Sequence, residues 1–533
     1  MIRALWRNSP RPGASSLGPV ATPSDPTHGT GCEAFRPGMR FPDLPIYSGF
    51  DRPGRIEADV FELEVDGALP IDLEGTFYRV APEPQSPPLL GNDIVINGDG
   101  MIGLFRFANG HVDFRSRYVR TEKFTIERSA RRALFGAYRN PYTDDLSVRG
   151  LNRGTANTNI VWHGGKLLAL KEDSPPVEVD PNTLETRGTW DYDGALTSRT
   201  FTAHPKVDPL TGELFGFGYA AKGETTRDIA FYVIDAHGRV TREEWIEAPY
   251  AAEIHDFAVT REHVLVAVLP TTANLERLQA GGPHWLWDPT CNSRIGIFPR
   301  VAGVREIRWF EGPPRWLFHF FNAYTEGSRV IADACVSTAQ TFPFMYPDTL
   351  GQPFDPSKAV PRITRWEFDL GRRDDGFDER TLWPNYCEFP RIDDRFAMAR
   401  HRQGFVIAHD PTRDFSGGGI FGPAFNTIAC YDFESGRATT FQLDSKSTAQ
   451  EPVFVPRHGD APEGDGYLLV LVNRFETMLN DLLVFDTRAI ASGPIATVKL
   501  PLRLRNGVHG NWVPAHVLPG SAGEARYSRG ELP

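Results

Sequence analysis

Arg199-Thr-Phe-Thr-Ala-His204-Pro-Lys-Val-Asp208 puts a single imidazole at the edge of a segment that otherwise reads as an apolar β-strand end. Three later stretches repeat the arrangement: Glu253-Ile-His255-Asp-Phe257, Trp316-Leu-Phe-His319-Phe-Phe-Asn322 and Asn506-Gly-Val-His509-Gly-Asn-Trp512. Gaps of 51, 64 and 190 residues separate the four histidines. His319 carries the strongest signal, because Leu317, Phe318, Phe320 and Phe321 give it a dry setting, where an unpaired polar group costs roughly 2–7 kcal/mol. A core imidazole bonded to a backbone carbonyl explains any one of the four. Jointly they have a second explanation, a shared metal, since imidazole suits zinc, copper and divalent iron alike. No HExxH or CxxC spacing decides between the two, and convergence requires a fold that brings distant strands to one axis.

The rest of the chain reads as such a fold. From about residue 55 onward, short alternating apolar segments end in turn signals such as Asn109-Gly110, Asp180-Pro181-Asn182, Asp235-Ala-His-Gly238 and Glu434-Ser-Gly436. The runs Val264–Leu269 and Tyr467–Val472 have strand length and are too short for core helices. Nothing alternates as βα units, and no clean repeat of about 40–50 residues is visible. The expectation is an all-β chain closed into a ring of four-stranded sheets, whose inner strands point at one axis. One exception, Glu122 to Phe135, favours a helix that ends at Gly136, with a solvated Arg-rich face, capping the ring.

Composition narrows the function. A net charge of −11 argues against a general nucleic-acid surface. The five cysteines are odd in number, widely spaced and without a CxxC pair, so they suggest neither a disulfide framework nor a thiolate metal site. A reducing, cytoplasmic setting fits. No apolar run approaches the ~18–20 residues of a membrane-spanning helix. Residues 1–40 are rich in Pro, Gly, Ser and Thr, with no acid before Asp25. They read as a disordered extension or, more sharply, an organelle transit segment. Residues 41–515 are expected to form a single domain with cap insertions, and residues 516–533 a tail.

Beyond the histidines, the chain carries NGDGM (97–101), ANTNIVWHGGKLLALKED (156–173), TAHPKVDP (202–209), HDFAVT (255–260), FHFFNAYTEG (318–327), EFPRID (388–393), QEPVFVPR (450–457) and HGNW (509–512). On these stretches, over about residues 50–515, it resembles the carotenoid cleavage oxygenase family. Within that family it is most similar to phenolic-alkene cleavers of the isoeugenol oxygenase and lignostilbene dioxygenase type, which share stretches like ERSARRALFGAYRNPYTDD (127–145). The resemblance implies a seven-bladed β-propeller with a helical cap over an active-site tunnel. It implies a non-haem Fe(2+) held by His204, His255, His319 and His509, with Glu172, Glu388 and Glu451 behind three of them, and no organic cofactor. A carboxylate accepting the distal N–H would fix the tautomer and raise ligand basicity. Thr158 would lie near an open iron position, where its methyl could exclude water.

The same resemblance assigns Tyr138 and Lys171 to the 4-hydroxyl of the substrate. A phenol with a pKa near 10 is about 4 kcal/mol from ionising at neutral pH, and a close ammonium with a second hydrogen bond offsets much of that. The phenolate pushes electron density into a para-alkenyl double bond, and cleavage with O2 leaves two carbonyl products. The expected reaction is therefore cleavage of a 4-hydroxyphenyl alkene to a 4-hydroxybenzaldehyde, with vanillin from isoeugenol as the model case. Ile96, before the Asn97-Gly-Asp-Gly100 turn, lacks a flat face to stack a second aryl ring, which favours phenylpropenes over stilbenes. Stilbene cleavage, apocarotenoid cleavage and a non-enzymatic propeller platform are the alternatives, in that order. Partners are thus a small phenolic alkene and O2, with oligomeric state open. His163, His263, His284, His401, His409, His458 and His516 match no functional position and read as ordinary polar residues.

Overall fold

The protein is described by a computed structural model covering residues 40–91, 93–342, 347–413 and 424–520. The expected N-terminal extension, save Arg40, and residues 521–533 of the expected tail lie outside the described residues. Within them, five four-stranded sheets, two five-stranded sheets and a two-stranded ribbon account for the strands in sheets. The seven larger sheets are the blades of a seven-bladed β-propeller.

The five four-stranded blades are antiparallel meanders that start on the axis and work outward. The inner edge strands are Asn159–His163, Lys206–Val207, Phe257–Val259, Trp316–Glu326, Tyr386–Ile392, Ser447–Pro456 and Gly510–Pro514. Neighbouring inner strands touch, as Trp316–Glu326 touches both Phe257–Val259 and Tyr386–Ile392. Burial falls from axis to rim: Ser447–Pro456 is buried up to its last residue, whereas the outer strand Asp378–Trp383 is exposed over its first four residues. Turn chemistry sets the register. Asn109 and Gly110, both at positive φ (52° and 78°), form the two-residue link between paired Ala108 and His111, the backbone that matches strand twist in a tight hairpin.

The ring is shut twice. Gly510–Pro514 pairs with Gly75–Pro82, so a late strand becomes the inner edge of a blade otherwise built from early ones. Glu64–Gly67 pairs with Ala496–Lys499 and supplies the outer edge of the preceding blade. Between blades, aromatic side chains fill the wedge, as where Phe217 meets Phe257 edge-on and Phe231 meets Phe298.

Over one end sits the cap, built from helix α1 (Glu122–Ala130), short 3-10 turns at Pro141–Thr143 and Leu146–Val148, and helix α2 (Leu275–Gln279). Asn140 ties its pieces together by donating to Leu278 O and Gly282 O. The helix expected to reach Gly136 stops at Ala130, with Arg131 in the left-handed region (φ 56°). The cause is Glu127, whose buried carboxylate accepts the N–H groups of Leu134 and Phe135 and the ammonium of Lys123. Those bonds draw the chain back on itself, so Leu134 and Phe135 bury from a loop. Arg128 and Arg131 are exposed, the solvated face expected of this segment. The four described cysteines are free, and no described helix is long and apolar enough to cross a membrane.

Candidate metal centre

Three of the four histidines come from the inner-strand starts. His204 lies two residues before Lys206–Val207, His255 two before Phe257–Val259, and His509 one before Gly510–Pro514. His319 lies inside Trp316–Glu326, where the pairing register slips between Leu317 and Phe320. Similar slips occur at Glu388 and after Ala449, just before Glu451. A bulge re-aims a side chain that regular alternation would send elsewhere. Here three bulges turn a histidine and two glutamates toward the same place.

The result is a tight convergence. The ligand nitrogens of His204, His255, His319 and His509 all lie within 4.8 Å of one another. Nε2 of His255 is 3.0 Å from that of His204 and 3.2 Å from that of His319, which is 3.2 Å from that of His509. The far edges are held by carboxylates. Nδ1 of His255 donates to Glu172, that of His319 to Glu388 at 2.6 Å, and that of His509 to Glu451 at 2.8 Å. His204 has no such carboxylate among the described residues.

This pattern fits a metal ion on its own chemistry. With Nδ1 protonated and donating, the Nε2 lone pairs of three imidazoles face inward without a proton to share. Lone pairs about 3 Å apart repel unless a cation lies between them, and two nitrogens bound at about 2.1 Å at a right angle are about 3.0 Å apart. Burial, followed by its three neighbours, pushes His204 well below the usual imidazole range, which keeps it neutral and able to ligate. Burial opposes charge on Glu172, yet His255 prevails and lowers that carboxyl to about 2. Glu451 is also lowered, against burial, by His509 and Arg391.

Beside the cluster opens a largely apolar cavity of about 690 Å³, counting its mouth. His255 and His319 form part of its wall, with Ile96, Tyr138, Thr158 and Lys171. Thr158 and Lys171 leave their sheet side by side, the Thr158 N–H donating to Leu170 O at 3.0 Å. Lys171 is 4 % exposed and makes no ion pair among the described residues. Its ammonium lies 3.4 Å from the Tyr138 hydroxyl and 4.8 Å from the centre of that ring. Burial, then Glu172, pushes Tyr138 well above the ordinary phenol value, so its hydroxyl keeps its proton. Ile96 sits in the turn Val95–Asn97, its carbonyl held by the Asn157 amide at 2.9 Å.

Several groups at the site have little or no mark in the sequence. Tyr219 donates to the second oxygen of Glu172 at 2.8 Å, and Arg139 donates to Tyr219. Four rings, Phe318, Phe342, Phe389 and Phe425, line the cavity. Phe389 takes a left-handed backbone (φ 57°) beside Glu388 and lies over His319 with centroids 5.5 Å apart. Glu253, two residues before His255, is buried and faces the cavity, and burial with Glu172 raises it to about 8. An acid two positions before a histidine of the cluster is the one available signal for it.

The sequence profile described as "Retinal pigment epithelial membrane protein" (RPE65) matches residues 51–514, most of the chain. The chain belongs to the RPE65/carotenoid cleavage oxygenase family. Among members of this oxygenase family, isoeugenol monooxygenase of Pseudomonas nitroreducens is 50% identical over 465 residues, 87% of this chain and 96% of that one. Lignostilbene-alpha,beta-dioxygenase isozyme III of Sphingomonas paucimobilis is 44% identical over 485 residues, covering 90% and 99%. The crystal structure of Pseudomonas brassicacearum lignostilbene dioxygenase superposes with a TM-score of 0.87 at 42% identity, covering 89% of this chain and all of that one. The protein is thus an alkene-cleaving oxygenase of the carotenoid cleavage oxygenase family, and its four converging histidines offer a donor set that could hold a metal ion.

Proposed function

We propose that this oxygenase holds Fe(2+) at His204, His255, His319 and His509 and cleaves the C=C bond of a 4-hydroxyphenyl alkene with O2. For isoeugenol the balance is one alkene and one O2 to vanillin and acetaldehyde, with both oxygen atoms retained in the two carbonyls. No organic cofactor is needed, because O2 is the whole oxidant. A ferrous ion supplies the one-electron chemistry by which ground-state O2 reacts with a closed-shell alkene.

The observation that carries the reading is Lys171, a buried amine with no ion pair at contact distance among the described residues, facing an apolar cavity beside a protonated tyrosine. Glu172 and Glu253 act on that charge from beyond ion-pair distance, so among the described residues no anion touches it. A phenol that gives up its proton there provides the missing anion, while Tyr138 donates a second hydrogen bond to the same oxygen. The phenolate then sends density through the ring into the conjugated double bond, the end that approaches the histidines. Glu172, Glu388 and Glu451 hold three imidazoles in the ligating tautomer. Thr158 commits its hydroxyl to Asn157 Oδ1 at 3.0 Å, which leaves its methyl to keep water from the open side of the centre.

Ile96 and the similarity to isoeugenol monooxygenase favour phenylpropenes. The four phenylalanines supply flat faces that Ile96 lacks, and they favour stilbenes as the second reading. Iron-loaded enzyme should be incubated aerobically with isoeugenol, 4-vinylguaiacol, 4-hydroxystilbene and the methyl ether of isoeugenol, with products identified by mass. We expect vanillin from the first two and little turnover of the ether. Equal cleavage of the ether removes the phenolate role, and higher kcat/KM for the stilbene selects the second reading.

A further inference from the structure

Glu253 is a carboxyl with no side-chain hydrogen bond or contact ion pair among the described residues, placed in the wall that also carries the Tyr138 and Lys171 heads. Its backbone is fixed, because Glu253 N donates to Thr271 O at 2.9 Å and the chain runs on into His255. One of its oxygens lies within 4.8 Å of a carboxylate oxygen of Glu172 and of a ring nitrogen of His255. Glu172 and His255 Nδ1 already satisfy each other, and Tyr219 takes the remaining oxygen of Glu172. Nothing in the centre therefore uses Glu253. A buried carboxyl left without a hydrogen bond is costly, and a second carboxyl close by adds repulsion. Glu253 also lines a smaller pocket beside Trp316, and the cavity that carries Tyr138 and Lys171 is where a donor on a bound ring reaches it.

We infer that Glu253 accepts a hydrogen bond from a second hydroxyl on the ring whose first hydroxyl is held by Tyr138 and Lys171, making it a specificity residue for catechol-type alkenes. This rests on the phenolic reading above. A ring anchored at one oxygen by the Tyr138–Lys171 pair presents its adjacent carbon to the same wall. A hydroxyl there can donate to a carboxyl in either protonation state. A methoxy group cannot donate, and a bare C–H leaves the carboxyl unsatisfied. The chemistry therefore ranks a 3,4-dihydroxyphenyl alkene above its 4-hydroxyphenyl counterpart.

The test uses full-length iron-loaded enzyme with 3,4-dihydroxyphenyl, 4-hydroxyphenyl and 4-hydroxy-3-methoxyphenyl propenes. It also measures binding of the aldehydes 3,4-dihydroxybenzaldehyde and 4-hydroxybenzaldehyde by calorimetry. We expect wild type to prefer the catechol in both readouts, by about tenfold for one buried hydrogen bond. Glu253→Leu should abolish the preference, Glu253→Gln should retain part of it, and the iron content of both should match wild type. A wild type that cleaves phenols but does not distinguish the catechol overturns the inference and leaves the phenolic reading intact. So does a preference that survives in Glu253→Leu. Cleavage of methyl ethers as fast as phenols overturns the phenolic reading, and the inference with it.

Discussion

Glu451 accepts Nδ1–H of His509 on one oxygen and the backbone N–H of the next residue, Gly510, on the other, both at 2.8 Å. One carboxylate thus fixes an imidazole and the strand that carries it. Gly510 lets its strand pair closely with Gly75–Pro82, since a Cβ there would fall 2.5 Å from Tyr78 O. In Glu451→Gln, one end of the side chain still accepts but the other becomes an NH₂ facing an N–H donor. Metal affinity should fall by about 10- to 100-fold, the usual cost of losing such a partner. Competition against a chelator measures it, and an unchanged affinity rejects the role.

Lys171→Met keeps the length of the side chain and removes its charge. A charge-assisted hydrogen bond contributes about 1.5–3 kcal/mol, so kcat/KM for a 4-hydroxyphenyl alkene should drop by roughly 10- to 150-fold while bound iron stays constant. Parallel loss of iron and activity would show that Lys171 supports the fold of the site instead of the substrate.

Ile96→Phe adds a flat ring to a wall that already carries four. The ratio of kcat/KM for 4-hydroxystilbene over isoeugenol should rise several-fold, since aromatic pairs contribute about 0.5–1.5 kcal/mol beyond burial. A ratio that stays put or falls would place the second ring elsewhere.

His284 and His401 are buried away from the centre and bond to Arg139 O and the Asn322 amide respectively. Burial, then Arg139, lowers His284 to about 3, and burial lowers His401 to about 4, with Asp333 opposing and Arg365 assisting. In the unfolded chain both take a proton near pH 6.5, so the stability they contribute is present above that pH and is lost as pH falls toward 4 and 3. At pH 5 each should have cost about 2 kcal/mol. Metal-free protein should therefore melt well below its pH 7.5 midpoint, and His401→Gln should flatten the dependence. Parallel pH curves for variant and wild type would assign the acid sensitivity to other groups.

Strand-turn-strand patterning makes the all-β ring legible, because turn pairs such as Asn109-Gly110 declare hairpins locally. The seven-fold closure is not local: it depends on pairings such as Arg79 with Gly510, which no sequence window contains. Spacing alone leaves the four histidines divided between a core explanation and a shared metal; the family resemblance names them. The aim of His319 and Glu388 depends on bulges, which alternation does not foretell. Tyr219 and Arg139 are hidden for the opposite reason, since an aromatic in a strand and an arginine in a loop are ordinary in sequence and act here only through Glu172. The early end of α1 was hidden in a tertiary contact, Glu127 folding back on Leu134.

The last inner strand begins at Gly510, directly after the fourth histidine, and it docks on Gly75–Pro82. During synthesis three imidazoles emerge long before the fourth, and they belong to an open arc of blades. The four-nitrogen centre therefore comes into being in the same event that zips the circle, and full occupancy by metal reports a finished protein. A chain cut anywhere ahead of His509 forfeits its clasp and the fourth imidazole together, so on the proposed metal reading bound metal doubles as an audit of assembly.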